Sequence, residues 1–223
     1  MKFPFIDKLI ESGGECFLCG GAIRDELVGR EPTDFDFIVR CLPVEKIQSV
    51  CSEFGNALMH KYISGAIRLH TSEFGIVDIS TPRVSQGIYL PYGSMAEHFR
   101  FVDFTMNCIY RNMKTLDMYN PYKGVEDIQR KRIVLNPNME NLSEAPMLPL
   151  RAARFMGIYG FDIDDRTRNI FHRDKEMMFD TIPMERLRYE MYRILTSENY
   201  KAGIPLLEEL NILKRLFEIY NTP

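Results

Sequence analysis

The most informative stretch of the sequence is Cys19-Gly20-Gly21-Ala22-Ile23-Arg24-Asp25, followed shortly by Asp34-Phe35-Asp36. A paired glycine turn lets backbone N–H groups come close to a phosphate. Two carboxylates at positions i and i+2 of a strand point to the same face of a sheet, where they can share a divalent metal ion. A phosphate-binding turn beside metal-binding carboxylates is typical of phosphoryl or nucleotidyl transfer.

The composition is that of an ordinary globular protein of 223 residues, with 45% hydrophobic and 26% charged residues. No stretch approaches the roughly 20 apolar residues that span a membrane, and no apolar secretion signal follows Met1. Five cysteines, an odd number, argue against a disulfide framework and favour a reducing, cytoplasmic location. The net charge of −3 predicts that any RNA binds in a local basic groove. Basic clusters occur at Arg130-Lys131-Arg132, Arg151 with Arg154, Arg166 with Arg168, and Arg186 with Arg188.

The order of predicted elements indicates two domains. Short helices and strands alternate in the first part, including strands over 15–19, 34–40, 66–71 and 74–80, and a long mobile loop over 82–97. From about Leu142 onward glycine becomes rare and apolar residues recur at helical spacing. We therefore predict an α+β fold, with a mixed-sheet domain over 1–138 and a helical domain over 139–223.

Asp34 and Asp36 need a third carboxylate to hold two metal ions, and Asp78 is the best candidate. It is the only acid in the largely apolar strand Ile76-Val77-Asp78-Ile79-Ser80, where a charge is disfavoured unless it is exposed or paired. A lone Asp-x-Asp is more often a solvated face or turn. The pair Cys16 and Cys19 is compatible with a zinc or redox site, but no second ligand pair follows at the required spacing, so buried thiols are favoured.

Several further motifs, in the same order, resemble those of class II tRNA nucleotidyltransferases (CCA-adding enzymes) and bacterial poly(A) polymerases, within the polymerase-β-like superfamily. The first is the segment Gly20 to Asp36 already quoted. The others are Asp103-Phe104-Thr105-Met106-Asn107, Asn120-Pro121-Tyr122-Lys123-Gly124, Arg151-Ala152-Ala153-Arg154-Phe155 and Glu185-Arg186-Leu187-Arg188-Tyr189-Glu190. The resemblance covers about residues 15–195.

The resemblance implies a polymerase-β-like head domain and a helical neck. It also implies Mg²⁺-dependent addition of nucleotides from ATP or CTP to an RNA 3′ end, such as that of a tRNA, without binding to a membrane. By position, Asp34, Asp36 and Asp78 match the catalytic metal ligands. The residues that match nucleotide-binding positions are Gly20, Gly21, Arg24, Asp103, Asn107, Arg151 and Arg154.

The chain also departs from the family pattern. In the neck motif that reads the base by hydrogen bonds, the family's Asp and Arg are replaced by Ala145 and Leu148. This predicts that base choice is relaxed, depends on shape, or is made by other residues. Pro149 is expected to kink the same helix. Phe101 and Val102 stand where the family usually has two arginines.

The turn at Asn120 begins with Asn where the family has Asp, and the family's body and tail domains are expected to be missing. Three readings stay open: a transferase acting on an RNA 3′ end, a transferase with another acceptor such as a small molecule or protein, and a non-catalytic nucleotide- or RNA-binding module.

Overall fold

The structure is a computed structural model that describes residues 2–61, 65–139, 142, 145–177 and 182–220. Contacts between residues divide the chain into two compact units, Met1–Val125 and Glu126–Pro223. The predicted domain limits of 1–138 and 139–223 stay a prediction. Glu144, the first residue of the neck motif, lies outside the described residues.

The first unit is built on a seven-stranded mixed sheet with the strand order β3-β4-β5-β2-β1-β8-β9. Strands β2 and β5 are parallel, and the other neighbours in this sheet are antiparallel. The strands are β1 Glu15–Cys19, β2 Phe35–Arg40, β3 Asn56–Met59, β4 Ala66–Thr71, β5 Gly75–Ser80, β6 Arg83–Ser85, β7 Ile88–Tyr89, β8 Tyr110–Asn112 and β9 Met118–Tyr119. The helices are α1 Pro4–Glu11, α2 Gly21–Leu27, α3 Val44–Cys51, α4 Met95–Phe99 and α5 Gly124–Gln129, the last of which crosses into the second unit.

Strand β2 begins with the predicted alternation, which gives the start of the strand two different faces, and the residues that follow are buried on both faces. Phe35 and Phe37 are buried, while Asp36 between them is open to solvent. On the buried face the ring of Phe3, which precedes α1, lies 5.1 Å from the Phe35 ring and 5.0 Å from the Phe37 ring. This aromatic packing holds β2 in place, so that Asp36 has to project from the opposite face.

Residues 82–97 are ordered, so the prediction of a long mobile loop was wrong. They form the hairpin of β6 and β7 and then α4, which begins with a capping box between Ser94 and Glu97. Met95 and Phe99 of α4 are buried against the face of the sheet that carries Asp36. The elements are too short for hydrophobic periodicity to reveal them, and only the capping box was visible in the sequence.

In its described residues the second unit is mainly helical, with a pair of parallel two-residue strands, β10 and β11. Its elements are β10 Arg132–Ile133, α6 Leu148–Tyr159, β11 Asp162–Ile163, α7 Asp165–Asp174, α8 Met184–Leu195, α9 Ile204–Glu209 and α10 Ile212–Tyr220. The predicted α+β class, a mixed sheet followed by helices, is confirmed.

Pro149 does not interrupt a helix, which corrects the predicted kink. Helix α6 begins at Leu148, so Pro149 lies in its first turn. The first turn of a helix has no internal acceptor for its N–H groups, and proline is tolerated there.

Within the described part of the chain, none of the helices is both long enough and apolar enough to cross a membrane.

Candidate active site

Two of the three candidate carboxylates, those of Asp36 and Asp78, lie on one face of the sheet, at neighbouring strands. Asp36 of β2 and Asp78 of β5 are partners in the parallel register, so their side chains project on the same side. Asp34 lies two positions before Asp36, at the entry to β2. The parallel pairing of β2 with β5 therefore brings together acids that are far apart in the sequence.

The charge of Asp36 is destabilised by its surroundings. Asp36 is open to solvent, but the atoms crowded around its carboxylate remove part of its hydration, and Asp78 and Asp34 repel its negative charge. These effects raise the pKa of Asp36 from 3.8 to about 6, although Arg24 and Arg68 act in the opposite direction. A cluster of acids whose charges repel one another is a place where a cation would be stabilising.

Arg68 is a residue of this site that the sequence analysis missed. Its Nε and Nη2 atoms donate hydrogen bonds to Asp78 Oδ1 and Oδ2, both at 2.8 Å. Across the described residues, no three acidic, histidine or cysteine side chains are already grouped closely enough to hold a metal ion. The sequence did contain a signal, since the tight turn between Thr71 and Gly75 places Arg68 directly opposite Asp78 in the antiparallel hairpin.

The glycine turn joins β1 to α2. Gly20 has φ +66°, a left-handed conformation that favours glycine, and it precedes the first residue of α2. Its N–H group donates to the Ile109 carbonyl oxygen at 3.2 Å, so this amide is already engaged. A side chain added at Gly21 would come within 3.4 Å of Arg24 Nη2, which shows how closely the turn and Arg24 pack.

A chain of hydrogen bonds links Arg24, Asn107 and Asp103. Arg24 Nη1 donates to Asn107 Oδ1 at 2.6 Å, and Asn107 Nδ2 donates to Asp103 Oδ1 at 2.7 Å. Arg24 Nε and Nη2 also donate to Asp25 Oδ1, each at 3.1 Å. All three members of the chain are buried. The structure thus connects Arg24 of the glycine-turn motif with Asp103 and Asn107 of the later motif, all three of which were predicted to bind the nucleotide.

Arg151 and Arg154 belong to the second unit, on helix α6. Arg151 is half-buried, and its guanidinium carbon lies 5.9 Å from the centre of the Phe155 ring. Arg154 is only 5% exposed, and its Nε donates to Glu190 Oε2 of α8 at 2.9 Å. The buried Arg154 therefore has a structural partner that the sequence analysis did not foresee.

The structure also shows the surroundings of the positions that depart from the family pattern. Leu148 is buried and Ala145 half-buried, so neither side chain offers a hydrogen bond to a base. Near Phe101, which is adjacent to Val102, a different arginine is present: the Arg83 guanidinium carbon lies 4.5 Å from the centre of the Phe101 ring. The Arg83 amide also donates to His98 Nδ1 at 3.2 Å.

The cysteines show the character of buried thiols. None of the five is in a disulfide, and Cys16 and Cys19 are both buried. Burial raises the pKa of the Cys16 thiol to about 12 and that of the Cys19 thiol well above its ordinary value. Thiols this hard to ionise are poor metal ligands and poor nucleophiles.

Most of the chain matches known sequence families. The family described as "Poly A polymerase head domain" matches residues 16–134, and "Probable RNA and SrmB-binding site of polymerase A" matches residues 160–222. The first match covers more than half of the chain and includes every candidate site residue of the first unit. Polymerases of nucleic acids generally use divalent metal ions.

Among similar proteins, the CC-adding tRNA nucleotidyltransferase of Shouchella clausii is 26% identical over 214 residues, which are 96% of this chain and 53% of that protein. The chain thus spans about half the length of the curated relatives it matches. The crystal structure of the Bacillus stearothermophilus CCA-adding enzyme in complex with CTP has a TM-score of 0.80 at 24% identity, over 94% of this chain and 53% of that one.

The Thermotoga maritima CCA-adding enzyme, solved in complex with tRNA, has a TM-score of 0.82 at 22% identity, over 100% of this chain and 55% of that one. These two structures share the fold of this chain. The family match over residues 16–134, which is more than half of the sequence, shows that the chain belongs to the poly(A) polymerase head-domain family.

Proposed function

We propose that this protein is a template-independent nucleotidyltransferase that adds one or more nucleotides from a nucleoside triphosphate to an RNA 3′ end and releases pyrophosphate. The observation that carries the proposal is the in-register placement of Asp36 and Asp78 beside the Gly20-Gly21 turn, in a member of this family. The relatives support an RNA acceptor, since one is a CC-adding tRNA nucleotidyltransferase and another was solved with tRNA.

Mg²⁺ fits the donors of this site. Asp34, Asp36 and Asp78 would hold it, because hard cations of this kind prefer carboxylate oxygens. Desolvation, and in second place repulsion by Asp78 and Asp34, raises the pKa of Asp36, and a dication would relieve the repulsion. When bound, Mg²⁺ polarises phosphate oxygens and lowers the pKa of an attacking hydroxyl.

The residues of this chain would supply the binding and orientation of the nucleotide. We assign Gly20 and Gly21 to close contact with the triphosphate, because neither carries a side chain that would block it. Arg24 is held in place through Asn107 and Asp103, so its charge is positioned before the nucleotide arrives. An arginine oriented in this way can pair with phosphate oxygens.

We propose that residues 1–138 form the catalytic head and residues 139–223 the helical neck. Arg151 and Arg154 are the neck arginines assigned to the incoming nucleotide. Because Arg154 is buried against Glu190, we expect Arg151 to make the direct contact and Arg154 to act by holding helix α6 in shape.

The expected substrates are ATP, CTP or both. Base choice should be weak, because Ala145 and Leu148 offer no hydrogen bonds to a base edge. We propose a cytoplasmic location for the protein, which the five free cysteines support.

The proposal is tested by incubating the protein with Mg²⁺, each labelled nucleoside triphosphate in turn, and either a tRNA lacking its 3′ terminus or a short RNA. We expect label in a lengthened RNA. Asp36→Asn should abolish the product, whereas Asp117→Asn, at an exposed acid between β8 and β9, should leave it unchanged.

Three outcomes would contradict parts of the proposal. Label in a product other than RNA would indicate another acceptor, such as a small molecule or a protein. Nucleotide binding without any incorporation would indicate a non-catalytic module. Unchanged transfer by Asp36→Asn would refute the assignment of the carboxylates.

A further inference from the structure

The ion pair between Arg68 and Asp78 lies inside the proposed carboxylate site. Arg68 on β4 and Asp78 on β5 are partners in the antiparallel register, and two hydrogen bonds of 2.8 Å use both oxygens of the carboxylate. Both oxygens of this carboxylate already accept a hydrogen bond from the guanidinium, so a metal ion has to compete with the arginine for them.

Three in-register pairs connect Arg68 with the glycine turn across the sheet. Arg68 is opposite Asp78, Asp78 is opposite Asp36, and Asp36 is opposite Cys19, which adjoins the glycine turn. Arg68 therefore approaches the acids from the side of β4, whereas Arg24 lies on the side of the glycine turn. Both arginines partly offset the repulsion felt by Asp36.

The ion pair is accessible and can open. The side chains of Arg68 and Asp78 are 47% and 44% exposed. Exposed ion pairs contribute little to stability, so the guanidinium can leave Asp78 at small cost. A divalent cation carries twice the charge of the guanidinium and competes well for the same oxygens.

We propose that Arg68 is a positioning residue that occupies Asp78 until a divalent metal ion takes its place, and that it thereby sets the metal affinity of the site. The inference rests on the proposed metal-dependent function. Arg68 offsets part of the negative charge of the acid cluster and holds the Asp78 carboxylate in a defined orientation. Its ion pair with Asp78 breaks when the metal ion binds.

The test measures binding of Mn²⁺ alone, by the electron paramagnetic resonance signal of the free ion, without nucleotide or RNA. Arg68→Met should bind Mn²⁺ about two- to five-fold more tightly than the wild type, the range expected for loss of one exposed ion pair. Arg68→Lys should fall between the two, because lysine keeps the charge but not the paired hydrogen bonds.

Two further variants make the result specific. Arg132→Met removes another arginine that is 47% exposed and paired with an aspartate, Asp162, and it should leave Mn²⁺ affinity unchanged. In an Asp78→Asn background, Arg68→Met should no longer tighten binding, since the carboxylate for which arginine and metal compete is gone.

The proposal is overturned if Arg68→Met binds Mn²⁺ no more tightly than the wild type, if neither protein binds Mn²⁺, or if the gain persists in the Asp78→Asn background. The last result would show only a long-range effect of charge. Nucleotide transfer is measured on the same samples. If transfer occurs but Arg68→Met does not change Mn²⁺ affinity, only the proposed role of Arg68 is refuted. If Arg68→Met binds Mn²⁺ more tightly as expected but no nucleotide is transferred, only the proposed function is refuted.

Discussion

Asp36 and Asp78 lie opposite each other on the parallel strands β2 and β5, and their carboxylates share one face of the sheet. Partial desolvation is the main reason that the pKa of Asp36 is raised to about 6, and repulsion from Asp78 and Asp34 is the second reason. The arrangement is therefore costly to the folded protein at neutral pH, as expected where function rather than stability selects the residues.

Asp36→Asn should stabilise the protein at neutral pH while abolishing nucleotide transfer. The folded-state pKa of about 6 exceeds the ordinary value of 3.8, so the ionised carboxylate is stabilised less in the folded than in the unfolded protein. Ionisation of Asp36 therefore does not destabilise the folded protein below pH 3.8, and its full destabilising effect is reached above about pH 6. Because Asp36 is open to solvent, we expect a gain of only about 1 kcal/mol, or roughly 2–4 °C in Tm, at pH 7.5 without metal.

The measurement is thermal unfolding of the wild type and Asp36→Asn between pH 7.5 and pH 4.5. The difference in Tm should shrink as the pH falls, since the wild-type carboxylate then takes up its proton. A difference that is constant over this range would mean that the charge of Asp36 is not the cause.

Asn107→Ala should weaken nucleotide binding through Arg24. The variant removes the acceptor at 2.6 Å from Arg24 Nη1 and the donor to Asp103. Hydrogen bonds to charged groups contribute about 1.5–3 kcal/mol, so we expect KM for the triphosphate to rise about ten-fold or more, with a smaller change in kcat. Asn112→Ala, at the half-buried last residue of β8, whose side chain accepts the Lys114 amide, is the control and should leave KM unchanged. If kcat fell by about ten-fold and KM did not change, Asn107 would act in the chemical step instead.

Glu190→Ala should destabilise the helical unit. Arg154 and Glu190 are 5% and 8% exposed, so the variant leaves a buried guanidinium without this carboxylate. Breaking a buried ion pair costs about 3–5 kcal/mol, whereas Arg132→Met, which removes an exposed pair, should cost less than about 1 kcal/mol. The double variant Arg154→Met with Glu190→Leu should recover most of the loss in thermal unfolding, because it leaves no buried charge. A double variant as unstable as Glu190→Ala would show that packing, not the unpaired charge, is responsible.

His98→Asn should make the protein less sensitive to mild acid. Burial, and then the nearby charge of Arg83, lowers the pKa of His98 from 6.5 to about 4. The contribution of neutral His98 to the stability of the fold is fully present above pH 6.5. It is lost as the pH falls toward 4, because in this range the unfolded chain takes up the proton and the folded protein does not. We expect the wild type to lose about 1–2 kcal/mol more than His98→Asn between pH 7.5 and pH 5.

Asparagine keeps an acceptor for the Arg83 amide, so the variant should fold. His70→Asn, at an exposed position of β4, is the control and should show the same acid response as the wild type. Equal losses for the wild type and His98→Asn would contradict the assignment.

Base choice should be weak. A site that reads a base edge by hydrogen bonds rejects the wrong base by factors of about 10⁴–10⁵, and Ala145 and Leu148 cannot supply such bonds. We expect kcat/KM values for the four nucleoside triphosphates, measured singly with one RNA, to differ by less than about 100-fold. A preference of about 10⁴ for one base would mean that other residues read it.

Local sequence patterns were enough to predict the elements that build the site. The alternation around Asp36 predicted a half-buried strand, and Gly20-Gly21 predicted the turn into α2. The apolar run around Asp78 predicted the strand that carries it. These signals are short-range, because the faces of a strand and the conformation of a turn depend on residues that are neighbours in the chain.

The sequence offered Asp78 as the third carboxylate, but the strand pairing that places it and the other partners of these residues came only from the tertiary structure. The parallel pairing that sets Asp78 beside Asp36, the capture of Asp78 by Arg68, and the burial of Arg154 against Glu190 join residues from separate elements. Strand order and helix packing are chosen by the burial of apolar surface over the whole fold. Hydrophobic periodicity within one element shows which face is buried, but it contains no information about which other element covers that face.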